Sequence, residues 1–137
     1  MAEIFSKTIS SNLPELERLL LEVSEFLEME NLQKQSHAVE LTLEELITNT
    51  IKYGYDDKAA HQIEIRLAIQ PTAIQITITD DGHEFNPFSA AEVDVSKPVE
   101  EREIGGLGIH LVRKLAASTN YQRLGGKNIL KLGIAAP

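Results

Sequence analysis

Apolar residues recur along the chain with two different periods, and the first of these is helical. From Leu13 to Leu27 the apolar side chains return at helical spacing, with Asn12 as a candidate N-cap and Pro14 in the first turn. The same spacing returns from about Gln35 to Lys52, and Gly54 follows at the position where helices often end. The first half of the chain therefore predicts two amphipathic helices.

The second period is the strict alternation of a β-strand. Residues 63–69 and 74–79 alternate isoleucine or leucine with polar or small side chains on either side of a turn at 70–72, which predicts a half-buried hairpin. The run Ile4–Ser10 predicts a short edge strand ahead of the first helix.

A third helix and a second hairpin complete the pattern. The helix is expected to open at Gly105-Gly106-Leu107-Gly108, and the strands Asn120–Leu124 and Asn128–Ile134 are divided by Gly125-Gly126, a hairpin signal. The element order β-α-α-β-β-α-β-β predicts an α+β fold. In this fold a two-layer sandwich combines a mostly antiparallel mixed sheet with three helices on one face.

Length and charge narrow the class of protein. A chain of 137 residues with 42% hydrophobic and 25% charged residues is expected to form a single globular domain over 1–137. The net charge of −8 argues against direct nucleic-acid binding. No apolar run is long enough to span a membrane and the N-terminus lacks a signal-peptide pattern, so we expect a cytoplasmic protein without membrane contact.

The absence of cysteine removes several chemistries. It excludes disulfides, thiolate zinc sites and a cysteine nucleophile. The four histidines have no zinc-motif spacing, so we expect surface or capping roles for them: His37, His61, His83 and His110.

The second predicted helix carries a polar group at the edge of its apolar stripe. Glu45 and Asn49 lie four residues apart and share a face, with Lys52 three residues further on. A solvated polar face is the ordinary explanation of such a group. The alternative is a functional site, because the neighbouring residues Leu46 and Ile51 belong to the buried stripe.

Asp80 is the last residue of the alternating strand, and it falls on the same face as the isoleucines of that strand. The two-residue period places Asp80 on the apolar face and Asp81 on the other. A carboxylate in that position is either part of an Asx-type turn before Gly82 or a buried group that needs partners.

The glycines at 105, 106 and 108 and the segment before them are a further candidate. Free backbone N–H groups at a helix start favour a phosphate, whereas a flexible hinge is the simpler explanation; neither a P-loop nor a dinucleotide-binding fingerprint is present. The irregular stretch 86–104 is acidic, with Lys97 and Arg102 as its cations, and its length is typical of a functional or disordered loop such as a lid.

Taken in order, these segments resemble a known family. Residues 44–55 (EELITNTIKYGY) resemble the N box of the GHKL ATPases, 80–85 (DDGHEF) their D-x-G-x-x-F box, and 105–111 (GGLGIHL) their second glycine box. The short chain and the tail 125–130 (GGKNIL) resemble the stand-alone anti-sigma factor serine/threonine kinases, the RsbW-like group. The resemblance implies a Bergerat-type ATP-binding fold.

The resemblance also implies a role for each matched residue. Asn49 would hold Mg²⁺ through its side-chain oxygen, and Glu45, rather than its neighbour Glu44, would be the general base. Asp80 would accept a hydrogen bond from the adenine amino group, and Gly82 would allow the base to approach.

The phosphates and the remaining nucleotide contacts are assigned in the same way. Gly106 and Gly108 would wrap the phosphates. The other residues expected to bind nucleotide are Lys52, Phe85, Gly105, Leu107 and Arg102, the last of these preferred to Lys97 for the terminal phosphate. The chain has Tyr53 where the family often has His, and Asn128 or Lys131 stands where it often has a Thr near the phosphates.

The function implied is that of an ATP-dependent protein serine/threonine kinase with Mg²⁺ as cofactor. It would phosphorylate an anti-sigma factor antagonist, sequester a sigma factor and form a homodimer. Three alternatives stay open: a non-catalytic ATP-binding module, the ATP-binding domain of a histidine kinase acting in trans, and an interaction domain without nucleotide.

Overall fold

The computed structural model describes residues 4–89 and 106–136, which form one antiparallel sheet covered by helices. The strands are β1 (Ile4–Ser10), β2 (Gln62–Ile69), β3 (Ala73–Asp80), β4 (Ser118–Leu124) and β5 (Lys127–Ala135). The helices are α1 (Leu13–Met29), α2 (Ser36–Tyr53) and α3 (Gly106–Leu115), with short 3₁₀ turns at Gln33–Gln35 and Pro87–Ser89.

The sheet has the order β1-β2-β3-β5-β4, and every described pair of neighbours is antiparallel. The predicted α+β fold is therefore confirmed, with β1 on an edge as its pattern indicates. The expectation of a mixed sheet is wrong for the described residues, whose sheet is antiparallel throughout. The bounds of β1 are as predicted, and those of the other elements differ from the predicted ones by one or two residues, as is usual where helix and strand ends fray.

Local sequence signals account for the ends of the elements. The side chain of Asn12 accepts a hydrogen bond of 2.9 Å from the backbone N–H of Glu15 and so caps α1. Gly125 and Gly126 both have positive φ, 59° and 75°, which is the backbone that a tight two-residue hairpin between β4 and β5 requires. The two glycines therefore set the register of the last hairpin.

The core lies between the inner face of the sheet and the helices. Its fully buried members alternate along the central strands, as in Ile74, Ile76 and Ile78, and face the apolar stripes of the helices, as in Leu19 and Leu43. Asp80 continues the inward-facing row of β3 and lies at the end of the core. None of the described helices has the length and apolar composition needed to cross a membrane.

Candidate functional site

Helix α2 presents the polar group that its sequence predicts, close to the C-terminal end of the helix. Glu45 and Asn49 are half-buried, whereas Lys52 and Glu44 are exposed. The Nδ2 atom of Asn49 is buried and has no hydrogen-bond partner among the described residues. A buried amide group left unpaired costs stability, so its presence is typical of a group that meets a ligand.

The first turn of α3 lies against Glu45. A Cβ atom added to Gly108 would overlap the carboxylate of Glu45 and would come within 3.1 Å of its Cγ. Only glycine fits at this position while the Glu45 side chain keeps its place. The glycine box and the N box, far apart in sequence, are therefore in direct contact.

The end of α2 is tied to the loop after β3. The backbone N–H of His83 donates a hydrogen bond of 2.8 Å to the carbonyl oxygen of Gly54. A Cβ on Gly82 would lie 2.6 Å from that same oxygen. Gly82 is thus required by the packing of this loop on α2.

Asp80 is buried, as the alternation in β3 predicts, with 4% of its surface exposed. Its Oδ1 accepts hydrogen bonds from the backbone N–H of Gly82 at 2.8 Å and from Nδ2 of Asn128 at 3.0 Å. Burial raises the pKa of Asp80 above its usual value, while these two hydrogen bonds act in the opposite direction. The carboxylate is therefore buried and anchored through one of its oxygens.

Asn128 is the partner that orients this carboxylate, and the predicted site did not include it. It lies opposite Asp80 in the β3–β5 pairing and is 5% exposed. Its position in β5 repeats the parity of Leu130 and Leu132, which face the core. That parity is the signal that could have identified it. The other candidate for the family's Thr, Lys131, is exposed.

The side-chain oxygen of Asn128 accepts hydrogen bonds from a cation, Arg123, and from a hydroxyl, that of Tyr121. Arg123 donates from Nη1 to the carbonyl oxygen of Gly82 at 2.8 Å and to Oδ1 of Asn128 at 3.2 Å. The hydroxyl of Tyr121 donates to the same Oδ1 at 2.6 Å, and the backbone N–H of Phe85 does so at 3.3 Å. Phe85, a predicted nucleotide contact, is 52% exposed.

A second polar cluster lies beside the Asp80 loop. The ring of His61 stacks on that of Tyr55, with centroids 4.0 Å apart. Nε2 of His61 lies 2.7 Å from Asp57 Oδ1, and Nδ1 lies 3.4 Å from Asp81 Oδ1. The hydrogen bond to Asp57 raises the pKa of His61, and burial together with Asp80 and Asp81 raises the pKa of Tyr55. The pattern of histidine spacing did not indicate this cluster.

Several predicted residues lie outside the described residues. These are Arg102, Lys97 and Gly105. Helix α3 begins at Gly106, so Gly106, Leu107 and Gly108 form its first turn. The structure thus brings the N box into contact with the D-x-G-x-x-F box and with the described part of the glycine box, residues 106–108.

Comparison with known proteins agrees with this arrangement. A family model described as a histidine kinase-like ATPase domain matches residues 9–134. The serine/threonine-protein kinase BtrW of Bordetella bronchiseptica is 26% identical over 94 residues, which cover 67% of this chain and 65% of that protein.

Two further relatives carry related names. An anti-sigma F factor of Oceanobacillus iheyensis is 26% identical over 80 residues, covering 58% of this chain and 55% of that protein. The serine-protein kinase RsbW of Halalkalibacterium halodurans is 27% identical over 81 residues, covering 56% and 49%. The matched segments thus span less than two thirds of the length of each of these curated relatives.

Proposed function

The chain belongs to the histidine kinase-like ATPase family, in its RsbW-like branch, and from this membership we propose that it is a Mg-ATP-dependent protein serine/threonine kinase of the anti-sigma factor type. The observation that carries the proposal is the double contact of α2. Glu45 lies against Gly108 at the start of α3, and Gly54 is bonded to the loop that follows Asp80. These two contacts support a site in which the proposed base and amide, both on α2, lie between the start of α3 and the loop that follows Asp80.

Asp80 supports recognition of adenine. A buried carboxylate whose Oδ1 already accepts two hydrogen bonds offers its second oxygen to a donor, and the 6-amino group of adenine is such a donor. The 6-keto oxygen of guanine would face the same carboxylate as acceptor against acceptor. The site therefore favours ATP over GTP.

Asn49 fits the role of magnesium ligand. The described residues contain no cluster of three or more acidic or histidine side chains that could hold a metal by itself. Mg²⁺ in phosphoryl-transfer sites is commonly held by one or two protein groups together with substrate phosphates, and the side-chain oxygen of Asn49 would be such a group. The unpaired Nδ2 of the same amide is a donor, which suits a phosphate oxygen of the nucleotide. When bound, the ion neutralises charge on the triphosphate.

Glu45 is the residue proposed to accept the proton. The serine or threonine hydroxyl oxygen of the partner forms the new bond to the γ-phosphorus, and the bond between that phosphorus and the ADP oxygen breaks. The hydroxyl proton passes to the Glu45 carboxylate, one helical turn before Asn49. Glu44 is the weaker candidate because it is exposed and points about 100° away around the helix.

The phosphates are proposed to lie at the start of α3. Free backbone N–H groups at Gly106, Leu107 and Gly108 and the helix dipole favour negative charge there. Lys52, Gly105 and Arg102 are proposed as further nucleotide contacts, with Arg102 reaching the terminal phosphate.

The partners are proposed from the names of the relatives. An anti-sigma F factor and the RsbW kinase are both among them. We therefore propose an anti-sigma factor antagonist as the phosphorylated protein and a sigma factor as the sequestered one, with the kinase acting as a homodimer in the cytoplasm.

The direct test is a phosphotransfer assay. The purified protein is mixed with Mg-ATP and with each candidate antagonist encoded near its gene, and the products are examined by mass spectrometry. The proposal predicts one phosphorylated serine or threonine on one candidate. ATP binding without any phosphorylated product would favour the non-catalytic module instead, and absence of ATP binding would favour an interaction domain.

A further inference from the structure

We propose that Asn128 is the positioning residue that gives the nucleotide site its selectivity for the 6-amino group of adenine, an inference that rests on the function proposed above. Asp80 meets the base through its carboxylate, and Asn128 acts by holding that carboxylate in one orientation.

The amide of Asn128 has a single orientation that satisfies its surroundings. Its Nδ2 donates to Oδ1 of Asp80 at 3.0 Å and to the carbonyl oxygen of His83 at 2.7 Å. Its Oδ1 accepts from Tyr121, Arg123 and the backbone N–H of Phe85. A reversed amide would turn its N–H groups toward three donors and its oxygen toward two acceptors, so the reversed orientation is excluded.

This fixed amide determines which oxygen of Asp80 is left for a ligand. Both donors that reach Asp80, the Asn128 amide and the Gly82 N–H, bond to Oδ1. The carboxylate therefore cannot rotate freely, and Oδ2 is the oxygen left to accept from a ligand. A carboxylate held in one orientation loses less entropy when it meets an amino group, which increases the affinity difference between bases with and without that group.

Asn128 also couples this carboxylate to the neighbouring loop. It bonds to residues 83 and 85 of the loop after β3, and Arg123 bonds to both Asn128 and Gly82. Strand β5 and this loop thus hold Asp80 from two sides. The network is neutral at Asn128, so it orients the carboxylate without adding a second negative charge beside it.

The test compares two nucleotides that differ only at the base. The affinities of ATP and of purine riboside triphosphate, which lacks the 6-amino group, are measured with Mg²⁺ by isothermal titration calorimetry. The ratio of the two dissociation constants is the readout, because general damage to the fold weakens both nucleotides alike and leaves the ratio unchanged.

Two variants of equal shape separate a hydrogen bond from packing. Asn128→Val removes the donor. Asn128→Thr introduces a side chain of nearly the same volume as valine, but its hydroxyl can reach the directly opposed Asp80.

The unsubstituted protein is expected to bind ATP more tightly than purine riboside triphosphate by about tenfold or more. Asn128→Val is expected to reduce that preference to within about threefold of unity, and Asn128→Thr to retain most of it. The control variant is Asn120→Ala, at an exposed position of β4, which is expected to leave the ratio of the two dissociation constants unchanged.

The outcomes are distinguishable. If the unsubstituted protein binds neither nucleotide, the proposed function fails and this inference fails with it. If it prefers ATP but Asn128→Val keeps the full preference, the inference alone is overturned. Should the variants at 128 not fold, Tyr121→Phe removes one donor to the Asn128 oxygen and is expected to lower the ratio about two- to threefold; an unchanged ratio there overturns the inference.

Discussion

The carboxylate of Glu45 occupies the space that a Cβ atom on Gly108 would need. This contact joins α2 to the first turn of α3, and it places the candidate general base beside the backbone proposed to hold the phosphates. The need for glycine at position 108 is thus explained by the Glu45 side chain, whether or not a ligand also lies close to this residue.

The contact predicts a dependence between the two residues. Gly108→Ala should displace the Glu45 side chain, and we expect it to lower phosphotransfer by about tenfold or more, since misplacement of a reacting group by about 1 Å has large effects. Thermal unfolding of Gly108→Ala, Glu45→Ala and the double variant measures the coupling. Because Glu45→Ala removes the obstacle, the double variant should be more stable than the sum of the single changes predicts. Additive changes in unfolding free energy would show that the two side chains do not compete for space.

The base assignment predicts a separation of binding from chemistry. Glu45→Gln should reduce phosphotransfer by about 10²- to 10⁴-fold, because the amide cannot accept the hydroxyl proton, and should leave ATP affinity within about threefold. The measurement is the rate of phosphorylation of the partner at saturating ATP, alongside calorimetric ATP affinity. Glu44→Gln, the exposed neighbour, is the matched control and should behave as the unsubstituted protein. Equal loss in both variants would contradict the assignment.

Asp80 is expected to favour ATP binding at the expense of stability. Burial raises its pKa, so the folded chain binds the proton more tightly than the unfolded chain. The ionised carboxylate therefore lowers stability above the raised pKa, and its unfavourable contribution disappears as the pH falls through that pKa toward the usual value of 3.8. ATP affinity should fall over the same acid range as the carboxylate is protonated.

The variant Asp80→Asn tests both effects at once. Its side-chain oxygen can still accept from Gly82 and Asn128, so we expect Tm at pH 7 to be equal or higher. ATP affinity should fall about 10- to 100-fold, because an amide N–H would face the adenine amino group. Asp81→Asn, at an exposed neighbour, is the control for ATP binding. A lower Tm together with unchanged ATP affinity would refute the assignment of Asp80.

His61 predicts a second loss of stability with rising pH, at higher pH than that of Asp80. Its hydrogen bond to Asp57 raises the pKa of the ring above its usual 6.5 and lowers the pKa of Asp57. The resulting contribution to stability is fully present below pH 6.5 and is lost as the pH rises through the raised value. The effect should be small, since the pair lies near the surface. Tm measured from pH 5 to pH 9 should therefore fall less steeply in His61→Gln than in the unsubstituted protein, and identical slopes would contradict the pairing.

Short-range patterns were sufficient to predict the fold. Asn12 caps α1 through a hydrogen bond three residues away, and Gly125 and Gly126 adopt the backbone that their hairpin needs. The alternation that ends at Asp80 predicted a buried carboxylate, and the structure confirms the burial. Each of these signals is contained in a few neighbouring residues.

Long-range contacts set the limit of that prediction. Asn128 reaches Asp80 only because β5 pairs with β3 in one register, and no pattern local to residue 128 reveals its partner. The family resemblance assigns Gly82 to the approach of a ligand, whereas its Cβ position is blocked by the carbonyl oxygen of Gly54, a residue distant in sequence. The roles of Arg102 and Gly105 remain predictions, since both lie outside the described residues.

The central claim is that one helix, one strand end and one helix start form a single Mg-ATP site. Titration of ¹⁵N-labelled protein with Mg-ATP, followed by amide chemical shifts, tests it most directly. We predict that the largest shift changes fall in three segments, 45–54, 80–85 and 106–108, and that all three titrate with one dissociation constant. Shift changes that leave these segments unaffected, or that follow different dissociation constants in each, would contradict the claim.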